Sequence, residues 1–134
     1  MKEIRNLTML SDFYEFTMAN GYYENGMKDT VAVFDAFYRK NPDGGGYAIF
    51  AGLNDIISYI KNLHFTDEDI EYFKSQGDFS EGFLEYLRNF KFTGDVYAFP
   101  EGSVMFPGEP IVTVKAPIIE CSIIETYLLL SMNF

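Results

Sequence analysis

A change in residue pattern at Phe92 constrains the fold of this chain more than any other feature of its sequence. Upstream of this residue, apolar side chains recur mainly at helical spacing, whereas downstream Pro and Gly interrupt short runs of β-branched and aromatic residues. The downstream pattern is typical of short antiparallel strands joined by tight turns. The two patterns together predict an α+β domain in which four to five helices lie on one face of a mixed or antiparallel sheet.

The predicted elements follow from this spacing and from the residues that interrupt it. The first helix is predicted to begin at an N-cap, Ser11 or Asp12, and to end at Gly26. A later helix is predicted to begin with a capping box at Thr66 and to end at Gly77. Helices are predicted at about 11–24, 53–60, 67–75 and 80–89, and from Ile118 to at least Phe134. Strands are predicted at 31–39, 96–99, 103–106 and 111–115, with a loop at 40–46 and a short extended segment at 47–50.

Length and charge exclude several classes of protein. A closed eight-stranded α/β barrel needs roughly 250 residues, and this chain has 134. Its 20 acidic and 10 basic side chains give a formal net charge of −10, so we expect no binding to nucleic acid or to an anionic membrane surface. One cysteine cannot form an internal disulfide and no secretory signal opens the sequence, so a reducing, cytoplasmic location is expected.

Residues able to carry chemistry are few. The single histidine, His64, suits a general base or a phosphate acceptor, but the sequence places no Ser, Cys or Asp companion beside it, which favours a helix-end role. Cys121 lies on an apolar helix without a neighbouring base, where an inert buried thiol is expected. The acidic residues of 67–71 are typical of a solvated helix N-terminus and lack calcium-loop spacing. No metal site is therefore predicted.

Two further groups of residues leave alternatives open. Arg39 and Lys40 precede three consecutive glycines at 44–46, which suits capture of an anion beside a permissive loop, but also suits strand-end cations kept in water. On the first helix, Asp12, Tyr14 and Thr17 form another candidate group, because their spacing places Tyr14 and Thr17 on the same side with Asp12 near the cap. One interpretation is a flat ring stacked on Tyr14 with Asp12 as a hydrogen-bond acceptor, and the other is a core tyrosine beside an N-cap.

Three separated segments carry a resemblance to a known family. They are Leu10–Ala19, which includes Ser11-Asp12-Phe13-Tyr14-Glu15-Phe16; Phe34–Leu53, which includes Arg39-Lys40-Asn41-Pro42 and the three glycines; and Phe92–Pro110, which ends in Pro107-Gly108-Glu109-Pro110. In residues, order and intervals they resemble the N-terminal part of nicotinate phosphoribosyltransferase. The resemblance covers essentially the whole chain.

This resemblance implies a type II phosphoribosyltransferase, in which an N-terminal α+β domain of the α/β-hammerhead kind leads into an incomplete α/β barrel. Residues 1–117 would form that domain, and 118–134 would begin the helix that leads to the barrel. The family reaction joins nicotinate to phosphoribosyl pyrophosphate in NAD salvage, giving nicotinate mononucleotide and pyrophosphate, with ATP hydrolysis and Mg²⁺. Family members are homodimers, and the N-terminal domain of one subunit lines the active site of the other.

Position by position, the resemblance gives substrate-binding roles to four residues. Tyr14 matches a tyrosine that stacks on the pyridine ring from the neighbouring subunit, and Asp12 matches the aspartate two positions before it. Arg39 matches an arginine that related nicotinamide enzymes direct at phosphate groups, and Lys40 is grouped with it. The family's phosphorylated histidine and other catalytic residues belong to the barrel, so we expect none in this chain, which alone would bind neither ATP nor Mg²⁺ and would be inactive.

The sequence leaves two other functions open. The chain could be a stand-alone interaction or regulatory domain that keeps the fold without catalysis. It could also belong to a related enzyme that uses quinolinate or nicotinamide. In each case, exposed apolar residues on the last helix predict that the isolated domain self-associates.

Overall fold

A computed structural model describes residues 5–133 of the chain. Its helices are α1 (Phe13–Glu24), α2 (Leu53–Asn62), α3 (Asp67–Gln76), α4 (Glu81–Arg88) and α5 (Ile118–Met132). Its strands are β1 (Val31–Ala36), β2 (Ala48–Ile49), β3 (Asp95–Ala98), β4 (Val104–Met105) and β5 (Val112–Pro117). The predicted α+β class is confirmed, and Phe134, which the predicted last helix was to reach, lies outside the described residues.

The strands form two small antiparallel sheets. The larger has the order β1-β5-β3, with Ala36 opposite Val112 and Val31 opposite Pro117. The smaller pairs β2 with β4, and a hydrogen bond of 2.9 Å from the Phe50 N–H to the Ser103 carbonyl extends that pairing. The prediction that the three strands after Phe92 pair with one another is therefore wrong for β4. This strand has a partner that comes much earlier in the chain, which local spacing does not reveal.

The core lies between the larger sheet and α5. Residues on one face of β5 are buried, as expected when alternate side chains of a strand point to opposite faces. Helix α5 places Ile119, Ile123 and Ile124 against that core. This helix is apolar on most of its circumference, which is typical of a helix covered by neighbours on several sides. Within residues 5–133, none of the helices is long and apolar enough to cross a lipid bilayer.

Strand β1 is shorter than its residue pattern predicts. The sequence indicated a strand to Arg39, but β1 ends at Ala36, opposite the first residue of β5. Beyond this point only isolated bonds hold the chain, such as the 2.9 Å bond from the Gly108 N–H to the Tyr38 carbonyl. Arg39 and Lys40 therefore lie in a loop and not at the end of a strand.

A second layer consists of aromatic side chains on α1, α3 and α4. Phe73 is fully buried, and its ring centroid lies 4.7 Å from that of Phe16 on α1 and 5.1 Å from that of Phe79. Phe83 of α4 is also fully buried and stacks on Phe79 at 5.9 Å. These rings pack α1 against α3 and α4, and so fix the position at which α1 begins.

Two glycines permit close approaches between elements. Gly52 has φ 103°, and a Cβ built there would lie 2.3 Å from the Ser131 carbonyl oxygen. Its N–H and that of Leu53 each donate to the Glu101 carboxylate at 2.8 Å, which satisfies the start of α2. Gly94 lies where a Cβ would be 2.2 Å from that of Ala116. Any side chain at either position would separate the packed elements.

Candidate functional site

The first turn of α1 contacts α5 through Asp12 and Thr126. Asp12 is the N-cap residue, as predicted, but its carboxylate makes no capping hydrogen bond to α1. Instead the Thr126 hydroxyl accepts a hydrogen bond from the Asp12 N–H at 3.2 Å and donates to Asp12 Oδ2 at 3.4 Å. The N-terminus of α1 is thereby held against α5, 114 residues later in the chain.

An open groove of about 210 Å³ runs beside this contact. Its lining consists of the start of α1 with its N-cap and the last two turns of α5 with its C-cap: Asp12, Tyr14, Glu125, Thr126, Leu129, Leu130 and Asn133. Tyr14 is 53% exposed, so its ring is a surface feature and not part of the core. The interpretation of Tyr14 as a core residue is therefore wrong, because its ring faces the groove and solvent.

The electrostatics of the groove are negative. Interaction of the Tyr14 hydroxyl with the adjacent Glu15 carboxylate, with smaller contributions from Glu125 and Asp12, raises the pKa of Tyr14 to about 12. Glu15 itself is only 1% exposed, and its Oε2 has no hydrogen-bond partner among residues 5–133. Burial, followed by the charges of Glu125 and Asp12, raises the pKa of Glu15 above its ordinary value. Tyr14 is therefore neutral at physiological pH, and among residues 5–133 no cation lines the groove.

Arg39 and Lys40 do not line this groove. Both are exposed, and neither side chain takes part in an ion pair within residues 5–133. The loop that follows contains Asp43 at φ 53° and Gly44 at φ 69°. The Tyr38 hydroxyl lies 2.8 Å from both Asn41 Oδ1 and the Met105 carbonyl oxygen, which ties the loop to β4.

The single histidine and the single cysteine lie outside the groove. His64 follows the end of α2, where its Nδ1 lies 2.7 Å from the Asn62 carbonyl oxygen and its Nε2 lies 3.4 Å from Asn6 Nδ2. It lines a separate cavity of about 170 Å³. Cys121 is buried on α5, and burial raises the pKa of its thiol to about 11. A thiol that is protonated at neutral pH is a poor nucleophile.

Sequence reasoning missed Glu125 and Thr126, which line the groove, and the buried Glu15, whose carboxylate acts on the pKa of Tyr14. Two acids, Glu120 and Glu125, interrupt the apolar α5, and the structure separates their roles. Glu120 is buried and accepts hydrogen bonds from the N–H and hydroxyl of Thr93 at 2.7 and 2.8 Å. Glu125 lines the groove. An acid on an apolar helix signals a special position, but only the fold shows which acid is structural.

Comparison with known proteins identifies the family. The family model for the nicotinate phosphoribosyltransferase N-terminal domain matches residues 9–133. The chain belongs to the nicotinate phosphoribosyltransferase family. A nicotinate phosphoribosyltransferase of Mycobacterium tuberculosis is 45% identical over 121 residues, which are 90% of this chain and 26% of that protein. A nicotinate phosphoribosyltransferase of Bacillus subtilis is 41% identical over 129 residues, which are 96% of this chain and 26% of that protein.

The fold of this family member matches that of a solved structure. The crystal structure of human nicotinic acid phosphoribosyltransferase superposes with a TM-score of 0.84 at 35% sequence identity, covering 91% of this chain and 25% of the human chain. The resemblance seen in the three sequence segments is thus confirmed. The chain spans about a quarter of the length of these nicotinate phosphoribosyltransferases, and the part it spans is their N-terminal domain.

Proposed function

We propose that this domain serves a nicotinate phosphoribosyltransferase of NAD salvage. In that reaction the pyridine nitrogen of nicotinate forms a bond to C1 of the ribose, the bond from C1 to the pyrophosphate oxygen breaks, and pyrophosphate leaves with the electron pair. The observation that carries the proposal is the match of residues 9–133 to the family's N-terminal domain. The groove beside Tyr14 and Asp12 gives the domain a surface suited to one of the two substrates.

Tyr14 and Asp12 are the residues we assign to the pyridine substrate. An exposed, uncharged tyrosine ring is a flat surface on which a heterocycle can stack, a contact worth roughly 0.5–1.5 kcal/mol beyond the area it buries. The Asp12 carboxylate makes no cap bond within α1, so it retains acceptor capacity toward a ligand. The acidic lining is poorly suited to the nicotinate carboxylate, which would therefore point away from Asp12 and Glu125.

Arg39 and Lys40 are the residues we assign to phosphate groups of phosphoribosyl pyrophosphate. Both are exposed, and a guanidinium can pair with phosphate oxygens in a two-pronged geometry. The loop at Asp43 and Gly44 takes positive φ values, which allow the backbone to bend close to a ligand. The acidic surroundings of the groove make these two cations the better anion site of the domain.

The remainder of the proposed site belongs to other parts of a family enzyme. We propose a cytoplasmic homodimer in which this domain faces the barrel of the partner subunit, with ATP hydrolysis and Mg²⁺ supporting turnover. Among residues 5–133, no three His, Cys, Asp or Glu side chains are grouped so as to hold a metal ion. Because Mg²⁺ is usually held by one or two carboxylates together with substrate phosphates, its place in the enzyme stays a proposal, and no step is assigned to the ion here.

A turnover assay on the complete gene product tests the role of Tyr14. Tyr14→Ala is expected to raise the nicotinate KM about tenfold, because it removes the stacking surface, while Tyr14→Phe keeps the ring and serves as the matched control. Equal kinetics for Tyr14→Ala and the parent enzyme would refute the stacking role. Parallel assays with nicotinamide and quinolinate separate this function from those of related enzymes.

A second assay tests the dependence on the barrel. The isolated 134-residue chain is expected to release no pyrophosphate from phosphoribosyl pyrophosphate, with or without nicotinate. Release by the isolated chain would contradict the proposed division of the site.

A further inference from the structure

The N-cap residue of α1 differs from those of α3 and α4, whose side chains cap their helices. Thr66 accepts a hydrogen bond from the Asp69 N–H at 3.2 Å, and Ser80 accepts one from the Phe83 N–H at 3.2 Å. Asp12 has the extended backbone of an N-cap but makes no such bond. Aspartate is among the best capping residues, because its carboxylate can accept from a free first-turn N–H group. The first turn of α1 lacks this hydrogen bond.

The reason lies in the Thr126 hydroxyl. It accepts from the Asp12 N–H at 3.2 Å and donates to Asp12 Oδ2 at 3.4 Å, so one group fixes both the backbone and the side chain of Asp12. With Oδ2 held at α5, the carboxylate is turned away from the free N–H groups of its own helix. Asp12 Oδ1 has no hydrogen-bond partner among the residues described, and the carboxylate lines the groove with Tyr14.

We propose that Thr126 is a positioning residue, which holds the Asp12 carboxylate off the end of α1 and directs it into the groove for the ligand. This inference rests on the proposed substrate-binding role of Asp12 and adds the residue that enforces it. Without the hydroxyl, rotation about the side-chain bonds of Asp12 brings its carboxylate onto the first-turn N–H groups. Thr126→Val is therefore expected to weaken ligand binding and to let Asp12 cap α1.

The experiment uses the complete gene product and three variants. Thr126→Val keeps the shape of the side chain and removes its hydroxyl, Thr126→Ser keeps the hydroxyl, and Asp12→Ala removes the group being positioned. Thr126→Val is expected to raise the nicotinate KM about tenfold, in line with loss of a hydrogen bond to a charged group, with a smaller change in kcat. Thr126→Ser is expected to restore KM to within about twofold of the parent value, because the hydroxyl is the group that acts.

Stability measurements separate positioning from a merely structural role. The Tm of Thr126→Val is expected to equal or exceed that of the parent, and hydrogen–deuterium exchange in the first turn of α1 is expected to slow, because Asp12 now caps the helix. A structural role would instead lower Tm and speed exchange together with the loss of binding. That result, or equal kinetic defects in Thr126→Ser and Thr126→Val, would overturn the inference.

The Asp12→Ala variant separates a failure of the positioning role of Thr126 from a failure of the substrate-binding role of Asp12. A raised KM in Asp12→Ala with an unchanged KM in Thr126→Val would overturn the positioning role and leave the proposed function intact. An unchanged KM in Asp12→Ala would overturn both the role of Asp12 and the inference that depends on it. Raised KM values in both variants, with rescue by Thr126→Ser, support both.

Discussion

The first turns of α1 and α3 carry the same capping-box spacing and use it differently. In α3, the Thr66 N–H donates to Asp69 Oδ2 at 2.8 Å and Thr66 Oγ1 accepts from the Asp69 N–H at 3.2 Å, so both residues satisfy their own helix. In α1, Asp12 and Glu15 occupy the equivalent positions, yet Asp12 binds Thr126 and Glu15 is buried with an unpartnered oxygen. Polar atoms that a helix does not use for itself are the ones available to a ligand.

The difference is also one of stability. A satisfied capping box stabilises the start of a helix, whereas a buried carboxylate without a full set of hydrogen bonds is destabilising. Binding sites commonly depart from the most stable arrangement in this way. The α1 turn is therefore expected to tolerate, and in part to benefit from, substitutions that would damage the α3 turn.

The largest expected effect comes from removing the aromatic packing between α1 and α3. Phe73 is fully buried on α3 and packs at 4.7 Å on Phe16 of α1, so Phe73→Ala leaves a cavity between the helices. A loss of about 3–5 kcal/mol in the free energy of unfolding is expected from chemical denaturation. Tyr72→Ala is the control, since Tyr72 is 48% exposed and its loss should cost far less. Similar losses in the two variants would contradict the placement of Phe73 in the core.

An intermediate effect sharpens the comparison of the caps. Thr66→Ala is expected to lower the free energy of unfolding by about 1 kcal/mol, because the Asp69 N–H loses its acceptor. Asp12→Ala should change stability by less than about 0.5 kcal/mol, because Asp12 caps nothing on α1. Equilibrium denaturation of both variants under one condition makes the measurement. A larger loss of stability in Asp12→Ala than in Thr66→Ala would contradict the conclusion that Thr66 caps its helix and Asp12 does not.

The smallest expected effect depends on pH and concerns Glu15. Burial raises the pKa of Glu15 in the folded state above its unfolded value of about 4.3, so the folded state binds more protons between these two values and stability falls as pH rises through that window. Glu15→Gln removes the titration. The variant is expected to be more stable than the parent by about 1 kcal/mol or less at neutral pH, and the gain should vanish as pH falls below about 4.

Denaturation curves at several pH values measure this difference. Glu71→Gln, which changes an exposed carboxylate on α3, is the matched control and should alter stability by no more than an ordinary surface substitution. A gain that stays constant between acidic and neutral pH would mean that ionisation of Glu15 is not its cause.

Much of this arrangement could be predicted from local sequence. The capping box at Thr66, the N-cap at Asp12 and the glycine after α3 are confirmed, because each depends on residues within one turn of a helix. The partner of β4 could not be predicted, since it lies more than 50 residues earlier in the chain. The end of β1 was also missed. The residues after Ala36 have strand-like side chains, but β5 offers no residue opposite them.

The candidate site divides in the same way. The proximity of Asp12 and Tyr14 follows from their spacing on α1 and was predicted, whereas their substrate-binding role, like that of Arg39 and Lys40, stays a prediction. Thr126 was not recognised, because nothing in the sequence relates a threonine on the last helix to an aspartate 114 residues earlier. Only packing of α1 against α5 brings the two together.

Helix α5 has a mechanical consequence for the domain. Its Thr126 holds the start of α1, and one and a half turns later the Ser131 carbonyl meets Gly52 at the start of α2, where no side chain fits between them. The starts of α1 and α2 are thus both in contact with α5, at Thr126 and at Ser131. Sliding α5 along its axis would disengage both at once, so a force applied to this helix reaches the groove and the α2 cap together.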